Sequence, residues 1–405
     1  MLTVDEARRK VLEAVAPLDT VDVSVEEAAG GVLAEDAVAP HDLPRFANSA
    51  MDGYAVVAAD VGTASEAAPV ELRLIGEVRA GDPGEVKVFQ GRAARIMTGA
   101  PLPPGADAVA QVEVTEEHGD SVVVKAPIGE GLHVRRAGED VQAGRTVVRA
   151  GAELGPGEIA VLASIGATPL VVHRAPRVAI LTTGDELVEP SVEPGPGQIR
   201  DSNSLALTSL LEEAGGHPVG FVRGADEREA VLGALERAAA ECDLVVSSGG
   251  VSVGRYDFVK EAVEALGRID MWRVAMQPGK PVVLGDVRGT TFLGLPGNPV
   301  SIHVGFEQFV RPAIRKMRGC STLLRPEIRA RLTETLRKSP GRLHFVRVRL
   351  AATGEGWEAT PTGPQGSHIQ SSLVGCDGLA RFPLEAQEMA SGDKVTVEVW
   401  RLPQR

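Results

Sequence analysis

Between residues 176 and 300 the chain alternates short apolar runs with longer amphipathic ones. RVAIL, PVGFVR, DLVV, MWRVAM, PVVLG and TTFLGL have the length and β-branched content of buried strands. SNSLALTSLLEEAGG, ADEREAVLGALERAAAEC and DFVKEAVEAL repeat apolar residues at helical spacing, with Ser202 and Asp226 as candidate caps. Continuously apolar strands between amphipathic helices predict βαβ units and a parallel sheet covered on both faces. A last helix, NPVSIHVGFEQFVRPAIRKM, closes this region.

The flanking regions have other periods. MLTVDEARRKVLEAV places Val4, Ala7, Val11 and Leu12 on one face, with Thr3 and Glu6 spaced as a capping box. From HDLPRFANSAMDGYAVV to VVVKAPIGEG, short alternating runs are broken by Gly and Pro, as in a compact β domain. GPGEIAVLASIG predicts a helix, with Pro156 in its first turn and Gly166 at its end. Beyond residue 320, RLHFVRVRLA, GWEATPT and DKVTVEVW alternate at period two, suggesting a small β-barrel or sandwich.

At 405 residues several domains are expected. No apolar run is long enough to cross a membrane, and the acidic N-terminus lacks a signal peptide's apolar core, so a cytoplasmic location is the expectation. Three scattered cysteines, Cys242, Cys320 and Cys376, read as reduced structural thiols. A net charge of −13 argues against nucleic acid as a partner. An anionic ligand would have to be attracted locally, by backbone amides, a few Arg or Lys, or a metal ion.

In an open α/β sheet, ligands gather at the carboxyl ends of the strands. Four such ends carry polar chemistry: Thr182 to Glu186, Ser247 to Gly254 with Asp257, Gln277 to Pro281, and Pro296 to Pro299. Each alone is ordinary turn chemistry. Together they set carboxylates able to hold Mg²⁺ beside glycine turns able to cradle phosphate, with one lysine, a combination suited to phosphoryl or nucleotidyl chemistry. Neither GxxxxGK[ST] nor a helix-opening GxGxxG is present. Asp257 reads either as a helix N-cap or as part of an anion nest. Asp52, Thr98 and the Arg135–Arg136–Glu139–Asp140 group, read alone, are loops and surface charge. His344 and His368 read as structural.

Nine segments in order, NSAMDGYAV, RIMTGAPLP, RRAGED, TGDELV, IRDSN, SSGGVSVGRYDFVK, QPGKP, GLPGNPVS and QGSHIQSS, resemble the motif series of the molybdopterin molybdenumtransferases, the MoeA and gephyrin E-domain type. The resemblance implies a multidomain α+β and α/β protein with a central three-layer α/β/α molybdopterin-binding domain, a β-rich N-terminal region and a small C-terminal β-barrel. The expected divisions are 1–45 with 141–175, an inserted 46–140, then 176–320 and 321–405. It implies an elongated homodimer that binds adenylylated molybdopterin and molybdate, hydrolyses the adenylate with Mg²⁺, releases AMP and leaves molybdenum on the dithiolene. A molybdopterin adenylyltransferase upstream and apo-molybdoenzymes downstream are the implied partners.

Carried over residue by residue, the resemblance makes Asp52, Asp140, Glu186 and Asp257 catalytic, with Asp185, Glu186 and Asp257 holding the metal. Thr98, Thr183, Gly184, Asp185, Ser248, Gly249, Gly250, Ser252, Gly254, Pro296, Gly297, Asn298 and Pro299 would bind the pterin nucleotide. Gln277, Lys280, Arg347 and Ser371 would form the molybdate pocket. One departure is Gln277, where the family often carries Lys; Gln keeps a donor but loses a full charge. Two rival readings are a molybdopterin adenylyltransferase, which needs little beyond the α/β domain, and a scaffolding protein on the same fold.

Overall fold

The computed structural model describes residues 1–82, 85–224, 228–249 and 258–402. Its centre is a six-stranded sheet. The strands are β1 (Arg177–Thr183), β2 (His217–Gly224), β3 (Leu244–Ser248), β4 (Gly267–Arg273), β5 (Pro281–Val287) and β6 (Thr290–Leu295), in the order β2-β1-β3-β6-β5-β4. Helices α1 (Asn203–Glu213) and α4 (Pro299–Gly305) pack on one face, with Leu207, Leu211, Val300 and Ile302 in a core shared with Val4, Ala7 and Val11. Helices α2 (Arg228–Glu241) and α3 (Phe258–Leu266) cover the other face through Val231, Leu235, Val259 and Val263. The three expected layers are therefore present.

The sheet is mixed rather than wholly parallel. Strands β1, β2, β3 and β6 run parallel, whereas β5 is antiparallel to both its neighbours. Only Arg288 and Gly289 separate β5 from β6, with φ of 51° and 91°. Two successive positive φ angles close a two-residue hairpin, which joins only antiparallel strands. MWRVAM, expected as one strand, divides: β4 ends at Arg273, and Met276–Gln277 pairs instead with Leu343–His344 of the C-terminal sheet. Ser202 forms no side-chain cap on α1; Asp201 Oδ1 accepts from the Ser204 amide at 3.0 Å instead. The candidate cap Asp226 lies outside the described residues.

The long closing helix contains a π turn, Phe306–Val310, between α4 and the segment Arg311–Met317. Pro312 has no N–H to give the Gln308 carbonyl one turn back. Arg8 Nε donates to that carbonyl at 3.1 Å. Arg8 comes from the N-terminal helix Val4–Glu13, which the expected Thr3–Glu6 capping box opens. Gln308 Nε2 donates onward to Glu398 Oε2 at 2.6 Å, so one buried polar chain joins the N-terminal helix, the α/β domain and the last strand.

Ahead of the central sheet, Thr20–Val23, Val32–Leu33 and Leu170–His173 form one small sheet, and six strands between Gly53 and Val124 form another. At the C-terminus Leu343–Thr353 pairs with both Gly356–Pro361 and Gly378–Phe382, and Glu327–Leu332 and Lys394–Val399 complete a closed five-stranded barrel. All three cysteines are free thiols.

Candidate functional site

Strands β1, β3 and β6 are consecutive in the sheet and parallel, so the loops after them meet along one edge. After β3 the Gly249 amide donates to the Leu295 carbonyl at 2.8 Å, which ties the glycine turn to the end of β6. Gly249 has a φ of 93°, open to glycine with little cost. Gly250, Ser252, Gly254 and Asp257 lie outside the described residues. Strand β1 ends at Thr183, and Gly184, Asp185 and Glu186 follow it. Gly184 has a φ of 149°, and a Cβ there would fall 2.6 Å from Glu186 Oε2, so a side chain at this position would displace that carboxylate. Asp185 and Glu186 are both exposed. Among the described residues no cluster of three or more His, Cys, Asp and Glu forms a metal site. Mg²⁺ does not need one, because it takes one or two carboxylates and fills its shell with phosphate and water. The oxygen donors of Asp185 and Glu186 suit that coordination.

Between β1 and α1 the chain makes an excursion closed by Leu187–Val188 pairing with Ile199–Arg200. It returns Asp201, fully buried, beneath the site, where Asp201 Oδ2 accepts from Ser204 Oγ at 2.6 Å and from Thr182 Oγ1 at 3.4 Å. Next to it Asn203 Nδ2 donates to Ser248 Oγ at 3.1 Å and to the Gly297 carbonyl at 2.8 Å. Asn298 in turn donates to Ser367 Oγ at 3.1 Å, in the C-terminal domain. Val300 N donates to the Ser367 carbonyl at 3.2 Å. The Pro296–Pro299 loop is thus held from both sides. Asp201, Asn203 and Ser367 received no role from the sequence, although the quoted segments IRDSN and QGSHIQSS contain them. An Asp-Ser-Asn run at a predicted helix start was the available signal.

The four residues expected to hold molybdate occupy different environments. Lys280 and Ser371 are exposed, and Gln277 is half-buried in the segment that pairs with Leu343–His344. Arg347 is fully buried under the loop that carries Ser371. Its Nε donates to Ser372 Oγ at 3.0 Å, its Nη1 to the Gln365 carbonyl at 3.2 Å, and its Nη2 to the Pro364 and Gly366 carbonyls, each at 3.2 Å. All these partners are neutral. Burial pulls its pKa down to about 10, which leaves it a cation at neutral pH. Burial also keeps neighbouring His344 neutral, with its pKa pulled down to about 4.

In the N-terminal region, Asp52 Oδ1 accepts from the Thr98 amide at 2.7 Å and from Thr98 Oγ1 at 2.8 Å. The backbone and hydroxyl bonds from Thr98 hold the Asp52 carboxyl below its ordinary range, so it is ionised and oriented. Asp140 is exposed, anchored by its own amide to the Leu43 carbonyl at 3.0 Å. Among the described residues no hydrogen bond or ion pair links Asp52, Thr98 or Asp140 to the strand-end loops.

Residues 2–166 match the MoeA N-terminal region (domain I and II), residues 179–316 a probable molybdopterin binding domain, and residues 329–400 the MoeA C-terminal region (domain IV). Molybdopterin molybdenumtransferase 2 of Mycobacterium tuberculosis is 38% identical over 99% of this chain and 100% of its own. Molybdopterin molybdenumtransferase of Haemophilus influenzae is 37% identical over 98% of each. A solved molybdopterin biosynthesis MoeA protein from Pyrococcus horikoshii superposes with a TM-score of 0.85 at 31% identity, covering 99% of this chain and 100% of its own.

Proposed function

The chain belongs to the molybdopterin molybdenumtransferase (MoeA) family, and from that premise we propose that it inserts molybdenum into adenylylated molybdopterin while hydrolysing the adenylate and releasing AMP. The observation that carries the reading is the Asn298–Ser367 bond of 3.1 Å, which sets the C-terminal loop against the carboxyl end of strand β6. A site that must hold a pterin nucleotide and a tetrahedral oxyanion together needs both loops in one place.

In this reading Ser248, Gly249 and the turn through Gly250, Ser252 and Gly254 receive the phosphates, with Thr183 and the Pro296–Pro299 loop framing the rest of the nucleotide. Asp185, Glu186 and Asp257 are the residues that would hold Mg²⁺. When bound, the ion neutralises charge that builds on the phosphates as the P–O–P bridge breaks. Glu186 and Asp257 orient the attacking water. Lys280, Gln277 and Ser371 offer donors to molybdate, a dianion. Arg347 acts one layer below: it shapes the loop that presents Ser371. Asp52, Thr98 and Asp140 complete the site from the N-terminal region of a second copy in a homodimer.

The adenylyltransferase reading is weaker, because the relatives match over nearly the full chain rather than the α/β domain alone. No helix among the described residues is long and apolar enough to cross a membrane. The proposal places the protein in the cytoplasm, between a molybdopterin adenylyltransferase and recipient apo-molybdoenzymes. The test supplies purified protein with adenylylated molybdopterin and Mg²⁺, with and without molybdate. AMP release stimulated by molybdate is the expected result. Survival of the adenylate, with pyrophosphate formed from molybdopterin and ATP, would establish the adenylyltransferase instead.

A further inference from the structure

We propose that Asn203 is a positioning residue for this reaction, fixing the gap between the glycine turn after β3 and the Pro296–Pro299 loop after β6. The assignment rests on the reading above. Asn203 is the first residue of α1 and is half-exposed at the site. Its side chain bridges two adjacent strand ends with one amide nitrogen, at 3.1 Å to Ser248 Oγ and 2.8 Å to the Gly297 carbonyl. The Gly297 carbonyl can only accept, so the atom facing it must be the nitrogen, which fixes the amide's orientation without ambiguity. Both hydrogens of that nitrogen are then committed to the two loops.

The next residue along the second loop, Asn298, carries the bond to Ser367. A continuous path therefore runs from the phosphate turn through Ser248, Asn203, Gly297 and Asn298 to the C-terminal loop bearing Ser371. No backbone ladder holds Ser248 against Gly297 at this point, because strand pairing ends at Ser248 and Leu295. Beyond it, the Gly249 amide and the Asn203 side chain make the described connections between the two loops. Loss of the amide lets the loops drift, and misplacement of about 1 Å is enough to cost a factor of roughly 100 in rate.

The test compares Asn203→Ala and Asn203→Leu with wild type in molybdate-dependent AMP release. Leucine keeps the branched shape of asparagine but supplies no donor and no charge. Both variants are expected to lose kcat by about 10- to 100-fold while KM stays near wild type and the melting temperature changes little. Asn203→Leu with wild-type kcat would show that shape suffices and would overturn the assignment. So would wild-type kcat in both variants, or a rise in KM at constant kcat, which would make Asn203 a simple binding contact. Wild-type protein that releases no AMP would instead refute the underlying functional reading, a result distinct from an active wild type beside equally active variants.

Discussion

Replacing Arg347 with methionine should loosen the Ser371 loop before it affects any ligand. The guanidinium supplies four hydrogen bonds, of 3.0 to 3.2 Å, to Ser372 Oγ and the carbonyls of Pro364, Gln365 and Gly366. Methionine fills most of the volume and donates to none of them. A buried acceptor left without a donor costs about 1 to 3 kcal/mol. Pro364 is exposed, so water can reach part of this edge, and a total of about 3 to 4 kcal/mol is reasonable for the group. In a chain of several domains a single unfolding free energy is poorly defined, so local opening is the better observable. Amides inside the loop, such as Ile369 to the Gly366 carbonyl and Ser372 to the Ile369 carbonyl, report it directly. Hydrogen exchange across residues 363–374 should quicken by about 100- to 1000-fold in Arg347→Met, since each 1.4 kcal/mol is a factor of ten. Exchange in the N-terminal sheet serves as an internal control and should not move. Loop exchange at the wild-type rate, with molybdate binding lost, would instead make Arg347 a direct ligand.

Other outcomes follow from the same geometry. Burial holds both His303 and His344 neutral, with pKa values of about 4 in the fold against 6.5 in an open chain. The fold binds fewer protons than the unfolded chain in that window, so each histidine's contribution to stability is complete above about pH 6.5 and is lost as pH drops toward 4, by about 3 kcal/mol per histidine at most. Urea midpoints against pH should show this slope, and His344→Leu should flatten its share; an unchanged slope would mean that water reaches the ring. Asp52→Asn should lower AMP release with little change in melting temperature, because the carboxylate is exposed and bonded only to Thr98 among the described residues; full activity would remove Asp52 from the site. Gln277→Lys should tighten molybdate binding by restoring a cation beside a dianion, and an unchanged dissociation constant by calorimetry would place residue 277 outside the pocket.

Much of the architecture was legible in apolar periodicity. Runs such as RVAIL and DLVV are buried on both faces of the sheet, so their composition reports their location directly. The reversal of β5 was harder to see, because it depends on the backbone angles of Arg288 and Gly289 rather than on the strand sequence. The π turn was equally opaque: Pro312 signals a missing donor, but the replacement is Arg8, some three hundred positions earlier. Asp185, Glu186, Ser248 and Asn298 announced themselves as polar residues after apolar strands. Arg347 was assigned only through the family resemblance, and its partners are three backbone carbonyls and the Ser372 hydroxyl, which no sequence pattern displays. Asn203 and Ser367 act through contacts between loops distant in the chain, so spacing alone could not assign them.

In the proposed reaction, adenylate hydrolysis and metal insertion are one coupled event at a site shared by the α/β domain and the C-terminal loop. The most direct measurement is the ratio of molybdenum retained on the pterin to AMP released in a single turnover, with the product scored by reconstitution of an apo-molybdoenzyme. Coupling predicts equal amounts of each and an active recipient enzyme. AMP released in full without molybdenum retained on the pterin would contradict it.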